Sequence, residues 1–277
     1  MGWASFREDI VSRHGGGSQV PDQGKSLSKD ATVDAGGTAK DLKGKTMSDT
    51  KSDSAKQVSK LKEFTAATPR PLPVIILADT SGSMKDNGKI EALNGALTDM
   101  IGAFAQEEEG RAEIHVAIIT FGGTAQVHQA LSPASKISLQ PLGATGMTPM
   151  GGAFDIAREL VEDRQKVPGR AYTPAIVLIS DGQPNDTWEP ALARLLDSDR
   201  AKKAQRFALA IGADADAAIL RRFLGTPEGK VYGAADARQI KNFFRWVTMS
   251  VTSRSRSMNP NAPAVNDFPP SDLEELL

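Results

Sequence analysis

The chain has 277 residues, with 33 Lys and Arg against 34 Asp and Glu for a formal charge of -1, a balance that excludes a general nucleic-acid binder or a polybasic membrane-surface protein. It contains no cysteine, which removes disulfides, thiolate nucleophiles and Cys-based zinc or iron-sulfur sites, and its three histidines (His14, His115 and His128) are too few for a His-rich metal site. No apolar stretch approaches the ~20 residues of a spanning helix, and MGWASFREDIV lacks the regions of a secretory signal, so the expectation is a cytoplasmic protein with neither nucleic acid nor membrane as partner.

Residues 1 to 70 carry 12 basic and 9 acidic side chains (+3), leaving 21 and 25 (-4) for the other 207. Trp3, Phe6 and Ile10 fall at helical spacing, which predicts a short amphipathic helix within 1–14. The stretch 15–70 is rich in Ser, Thr, Lys and Gly. From Gly15 to Gln57 its large apolar residues are only Val20, Leu27, Val33, Leu42 and Met47, too few to offset the entropy of ordering, and a disordered linker is expected. QGKS (Gln23 to Ser26) and KGKT (Lys43 to Thr46) look like ends of phosphate-binding loops. The glycine that should precede each is Gln19 or Ala39, and neither follows a strand, so both read as solvated linker.

From Pro71 the pattern changes. PVIILAD (Pro73 to Asp79) is a continuous apolar run ending in an acid, the signature of a strand buried on both faces. Ile90, Leu93, Leu97, Met100, Ile101 and Phe104 then keep the 3.6-residue period through a helix that ends in the acids Glu107 to Glu109, read as a solvated helix end. EIHVAIITF (Glu113 to Phe121) predicts a second strand, and AQVHQAL (Ala125 to Leu131) its antiparallel partner across Gly122 and Gly123. A Gly-rich loop, GATGMTPMGG, leads into a helix carrying Phe154, Ala157, Leu160 and Val161, and PAIVLISD (Pro174 to Asp181) is another buried strand. A helix from Trp188 to Lys203, a strand from Arg206 to Gly212, a short helix from Ala215 to Leu224, a strand near Lys230 to Tyr232 and a helix from Ala234 to Thr252 complete the alternation.

The expected fold class is therefore α/β: one doubly wound, Rossmann-like domain over 71–253, with a mostly parallel central sheet, one antiparallel edge strand and helices on both faces. The tail 254–277 is expected to be flexible apart from an anchor through Phe268, Leu273 and Leu276.

Open sheets of this kind place ligands beyond the carboxyl ends of their strands. There stand Asp79, Ser81 and Ser83 after the first strand, Asp181 after the fourth apolar one, and Thr148 in the loop between. Two carboxylates and three hydroxyls form a hard-oxygen set suited to Mg²⁺. The D-x-S-x-S spacing lets one turn aim three oxygens at a point, with Gly82 read as the residue that allows its tight backbone. His115 and His128 fall in predicted strands and read as packed or edge residues, and Asn185 and Asp186 as turn formers. No D-x-D-x-T nucleophile is present.

DTSGSM, the Thr148 of GMTPMGG and the SDG of Ser180 to Gly182 together resemble the metal-ion-dependent adhesion site of the von Willebrand factor A domain, in order and at suitable separation. That resemblance implies Ser81, Ser83 and Thr148 as direct or switchable metal ligands, and Asp79 and Asp181 as ligands directly or through water. It implies Mg²⁺, with Mn²⁺ or Ca²⁺ as alternatives, no catalytic residue, and a protein partner that offers an Asp or Glu carboxylate to the metal. A finer resemblance over Pro71 to about Ser257 is to bacterial tellurite-resistance TerY-like proteins, on LADTSGSM, TPMGGAF, LISDGQPNDTW, FALAIG and IKNFFRWVTMSV. It implies an adaptor or regulatory subunit in a stress-response or phage-defence system, with a Ser/Thr kinase and a metal-dependent phosphatase as partners. Two other readings remain: a metal-assisted hydrolase, for which the sequence shows no nearby His or Lys as general base, and an adaptor subunit of an ATPase or kinase assembly whose Ser/Thr-rich leader is modified.

Overall fold

The computed structural model of the protein describes residues 69–107, 110–262 and 271–276. The predicted helix in 1–14, the linker up to residue 68, both phosphate-loop look-alikes, Glu108, Glu109 and Phe268 lie outside the described residues.

The apolar run of the first strand, β1 (Arg70–Asp79), is buried along nine of its ten residues. Alternation splits it between two cores, with Leu72, Val74, Ile76 and Ala78 on one face of the sheet and Ile75 and Leu77 on the other. The first core is closed by α1 (Lys89–Ala105) and α5 (Ala237–Arg256), the second by α2 (Met150–Glu162), α3 (Trp188–Asp197) and α4 (Ala217–Leu224). With β2 (Ala112–Gly122), β3 (Thr124–Pro133), β4 (Ala175–Ser180), β5 (Gln205–Ile211), β6 (Val231–Ala234) and β7 (Glu274–Leu276), the sheet has the order β3-β2-β1-β4-β5-β6-β7.

The pairs β2-β1, β1-β4, β4-β5 and β5-β6 are parallel, and β3 is the antiparallel edge expected from the hairpin at Gly122 and Gly123. After β1 the chain builds β2 and β3 on one side, then crosses to β4 on the other. This topological switch point opens a crevice beyond the carboxyl ends of β1 and β4, where Asp79 and Asp181 stand. The aromatics of IKNFFRWVTMSV are core residues: Phe243, Phe244 and Val247 are buried, and Trp246 packs edge-on against Phe207 and Tyr232 at centroid distances of 5.3 and 5.2 Å.

Four features depart from the sequence reading. The helix expected to reach Lys203 ends at Asp197, because the Arg200 amide donates to Glu162 Oε1 and its Nη1 donates to the carbonyls of Val161 and Val167, drawing the chain onto the end of α2. The last helix continues to Arg256, past Thr252. Arg254 is 2% exposed there and donates to the Pro260 and Thr173 carbonyls and to Gln205 Oε1. Burial pushes its guanidinium down to about 10. The expected anchor of the tail is present at Leu273, which is buried, and at Leu276, but it takes the unforeseen form of a strand: β7 adds an antiparallel strand beside β6, and Asn242 and Gln239 donate to Asp272. A three-residue strand is too short to show a period in sequence. Finally, Glu107 is not a solvated end, since its side chain is 3% exposed and accepts from Nε and Nη2 of Arg256 at 2.9 and 2.8 Å.

Candidate metal centre

Asp79 closes β1 and is fully buried. Its Oδ1 accepts the Ser81 amide at 2.8 Å, which folds the chain back over the strand end, and its Oδ2 accepts the Ser180 hydroxyl at 2.6 Å. Burial pushes this carboxyl above the ordinary carboxylate range, and the nearby Asp181 charge adds to the rise, against the opposing hydrogen bonds from Ser180 and Ser81. Ser81 Oγ lies 3.1 Å from Ser83 Oγ, and Ser83 donates to Asp181 Oδ1 at 2.8 Å. Asp79, Ser81, Ser83 and Asp181 thus form a continuous run of oxygens. Thr148 completes the convergence: a methyl group added at Gly182 would stand 3.9 Å from its Oγ1 and 4.0 Å from Ser83 Oγ.

Two loops hold these groups in place. The Thr80 carbonyl accepts Thr145 N at 2.7 Å, Gly82 N donates to the Gly146 carbonyl at 2.9 Å, and Gly123 N donates to the Met147 carbonyl at 2.8 Å. This contact depends on glycine at two places. A Cβ on Gly122 would sit 2.0 Å from the Thr80 carbonyl oxygen, and Gly146 has a φ of +71° with its Cα side 2.5 Å from Gly123 Cα for any added Cβ. Gly82, expected to be the residue that permits the turn, is not the one that does: its backbone is outside the left-handed region, and an added Cβ there would meet only the Gly146 carbonyl oxygen at 3.5 Å. Thr148 is fixed through its carbonyl, which accepts Met150 N and Asn185 N at 2.9 and 3.1 Å. Asp186 does more than form a turn, because its two oxygens each accept an amide of the first turn of α2, Gly151 N and Gly152 N, at 3.0 Å.

One residue of the site escaped the sequence reading. Lys89, the first residue of α1, places Nζ 2.7 Å from Asp181 Oδ2, with side-chain exposures of 15% and 0%. A signal existed: a cation at a helix N-terminus faces the positive end of the helix dipole, so a lysine there calls for a compensating anion. Its presence corrects the statement that no lysine is near, although a group donating to a carboxylate is in the wrong role for a general base. The histidines are elsewhere, His115 beside Glu113 at 2.7 Å and His128 on the Gln140 carbonyl at 2.9 Å.

The donor set fits a hard divalent cation. It consists of two carboxylates and three hydroxyls, with Asp79, Ser81, Thr148 and Asp181 buried and Ser83 exposed at the mouth. Gly182 leaves open the space between the Thr148 and Ser83 hydroxyls that a side chain would fill. Among the described residues no group of three or more His, Cys, Asp or Glu gathers, here or elsewhere, so the donor set of this site rests on its hydroxyls as much as on its two carboxylates. The mouth opens into a cleft of about 660 Å³ lined by Ser83, Asp181, Gly182, Gln183, Asp214 and Asp216.

Comparison with known proteins gives one family and a common fold. The family model described as von Willebrand factor type A domain matches residues 74–246. The chain is 30% identical over 145 residues to the magnesium-chelatase 60 kDa subunit of Rhodobacter capsulatus, covering 50% of this chain and 24% of that one. It is 32% identical over 118 residues to the uncharacterized protein Rv2850c of Mycobacterium tuberculosis, covering 40% and 17%. It therefore spans a quarter or less of the length of these curated relatives. Solved structures that share the fold include the pilus adhesin SpaC of Lactobacillus rhamnosus GG (TM-score 0.55, 15% identity, 68% of this chain and 31% of that one). Proximal thread matrix protein 1 from the mussel byssus is a second (TM-score 0.53, 15% identity, 65% and 47%).

Proposed function

The chain belongs to the von Willebrand factor type A domain family, and from that premise we propose that it is a metal-dependent protein interaction module, not an enzyme, that captures a partner's carboxylate at the β1-β4 crevice. The observation that carries this reading is the convergence of Asp79, Ser81, Ser83, Asp181 and Thr148 at the strand ends, with Ser83 and Asp181 facing an open cleft. Ser81, Ser83 and Thr148 would hold Mg²⁺ with Asp79 and Asp181, directly or through water. Bound there, the cation supplies a Lewis-acidic position that an Asp or Glu of the partner fills.

The chain's own groups set the terms. Asp79 is buried and anchored on both oxygens, so it presents a fixed charge, whereas Ser83 is exposed and can meet the partner. A single carboxylate contact does not define a partner, so the loops around the cleft add an interface of ~1,200–2,000 Å² in total. Thr148 lies on the loop that starts α2, and a change in its ligation would be transmitted to that helix.

The adaptor role beside a Ser/Thr kinase and a metal-dependent phosphatase, in a bacterial stress-response or phage-defence setting, rests on the TerY-like resemblance. A cytoplasmic location is in keeping with the finding that no helix among the described residues is long and apolar enough to cross a membrane. The test is a pull-down from the native host with wild type and the folded double variant Asp79→Ala, Ser81→Ala, in Mg²⁺ and in EDTA. A partner retained only by wild type with metal is the expected result. The same partners with variant and EDTA would place recognition elsewhere.

A further inference from the structure

Lys89 is held with unusual care for a residue that is not a ligand. The two residues before it, Asn87 and Gly88, both adopt left-handed backbone with φ of 55° and 70°, and Asn87 is the one non-glycine residue with positive φ among the described residues. This double turn starts α1 so that Lys89 points back across the crevice. Its ammonium meets Asp181 Oδ2 at 2.7 Å, and the end of its stem lies over the Cα of Gly212, where an added Cβ would come within 3.6 Å of Nζ and 3.7 Å of Cε. The ends of β4 and β5 and the start of α1 therefore enclose it. Burial and the helix dipole both disfavour a cation at this point, and Asp181 is the anion that offsets them. The carboxylate needs no second anchor on this account, because Ser83 already fixes Oδ1 at 2.8 Å.

We propose that Lys89 is a resident countercation that weakens metal binding and strengthens carboxylate capture. The inference rests on the metal-centre reading above. Two carboxylates alone would neutralise a divalent cation, leaving nothing for an incoming anion to compensate. With Lys89 among them the loaded site carries one net positive charge, and a partner's Asp or Glu restores neutrality. Asp214 and Asp216 also line the cleft, but Asp214 is exposed to solvent and Asp216 is occupied in accepting Ala218 N and Ile219 N at the start of α4, so neither replaces Asp181 as the partner of the ammonium.

The countercation idea and a purely structural role for Lys89 predict opposite signs. An orienting hydrogen bond to a ligand, when lost, lowers metal affinity ~10- to 100-fold. A competing charge, when removed, raises it, and for a unit charge on the same carboxylate the gain is on the order of tenfold or more. The experiment is isothermal titration of Mg²⁺ into the full chain as wild type, Lys89→Met and Lys89→Arg, followed by acetate titration of each Mg²⁺-saturated protein monitored by NMR at the Gly182 and Met147 amides. Lys89→Met is expected to bind Mg²⁺ at least about tenfold more tightly and acetate correspondingly more weakly, with Lys89→Arg close to wild type in both. Melting in EDTA verifies that each variant is folded, and Lys89→Gln replaces Lys89→Met if the latter is not. Wild-type binding with equal or weaker binding by the neutral variant overturns the countercation role alone. Absence of Mg²⁺ binding by every variant overturns the metal centre itself, and binding by the neutral variant but not by wild type supports the countercation role in its strongest form.

Discussion

Asp79→Asn separates the cost of the site from its use. In the metal-free protein Asp79 is a buried carboxylate whose pKa is raised chiefly by desolvation, so its charge opposes folding. The amide fits the same bonds. Asn Oδ1 can keep the Ser81 amide, and Nδ2 can donate to Ser180 Oγ, whose own proton then turns to the Gly182 carbonyl, 3.3 Å away. No polar group is stranded. In EDTA at neutral pH the variant should therefore melt at or above the wild-type temperature. The sign with pH follows from linkage: a carboxyl whose folded pKa is raised binds more protons folded than unfolded, so wild-type stability falls as pH rises from 3.8 through the folded value. The advantage of Asp79→Asn should accordingly vanish at the acid end of that window and be full above it.

Magnesium reverses the ranking. At a concentration of 100 times Kd, a ligand bound only by the folded state adds ~2.7 kcal/mol, which for a domain of this size is about 5–10 °C in Tm. Wild type should show that shift, and Asp79→Asn should show none. Differential scanning fluorimetry across a pH series, with Mg²⁺ or EDTA, measures both arms. A variant that melts several degrees lower in EDTA would refute the burial argument, and one that keeps the Mg²⁺ shift would refute Asp79 as part of the centre.

Gly122→Ala should cost about 1–3 kcal/mol by forcing Thr80 away and should weaken Mg²⁺ binding, while Gly82→Ala should stay within about 0.5 kcal/mol; chemical denaturation of the pair checks this, and equal effects would contradict the loop contact at Thr80. Arg254→Ala should destabilise by ~3 kcal/mol, since it leaves the Pro260 and Thr173 carbonyls without their donor. Burial lowers its guanidinium pKa to about 10, below the ordinary arginine value, so the group is charged at neutral pH and its contribution rises with pH only between about 10 and that ordinary value. Arg254→Met, which restores the stem, should lose less in urea unfolding, and a neutral Arg254→Ala would show that the helix end is held by other contacts. Leu273→Ala should cost about 2 kcal/mol because the side chain is 9% exposed against the first core; a loss below about 0.5 kcal/mol would mean that the segment leading into β7 contributes nothing to stability.

Much of the fold was legible because its signals are local and repeated. β1 and β4 read as continuous apolar runs since both faces of each are covered, and α1 and α5 showed the 3.6-residue period of helices with one buried side. The positions of Asp79 and Asp181 follow from the same rule, as acids placed where buried strands end. What stayed hidden was set by long-range partners. Arg200 stops α3 by bonding to the end of α2, and Arg256 takes Glu107 out of solvent across 149 residues. The glycines that the site requires proved to be Gly122 and Gly146, outside the D-x-S-x-S turn; at Gly122 the obstacle is the Thr80 backbone brought beside it by the β1-β2 register.

The sequence by itself therefore determined the class of the fold, the strand ends that carry the oxygens, and the hard-oxygen character of the set, since each depends on residue type and spacing along the chain. Only the tertiary structure decided that Lys89 stands on Asp181, that Asp186 starts α2 beside Thr148, and that β7 closes the sheet beyond β6. These are pairings between residues 35 to 92 positions apart or between short strands, and no local period or propensity encodes them; they exist because two buried cores fix the strand order and bring those side chains together.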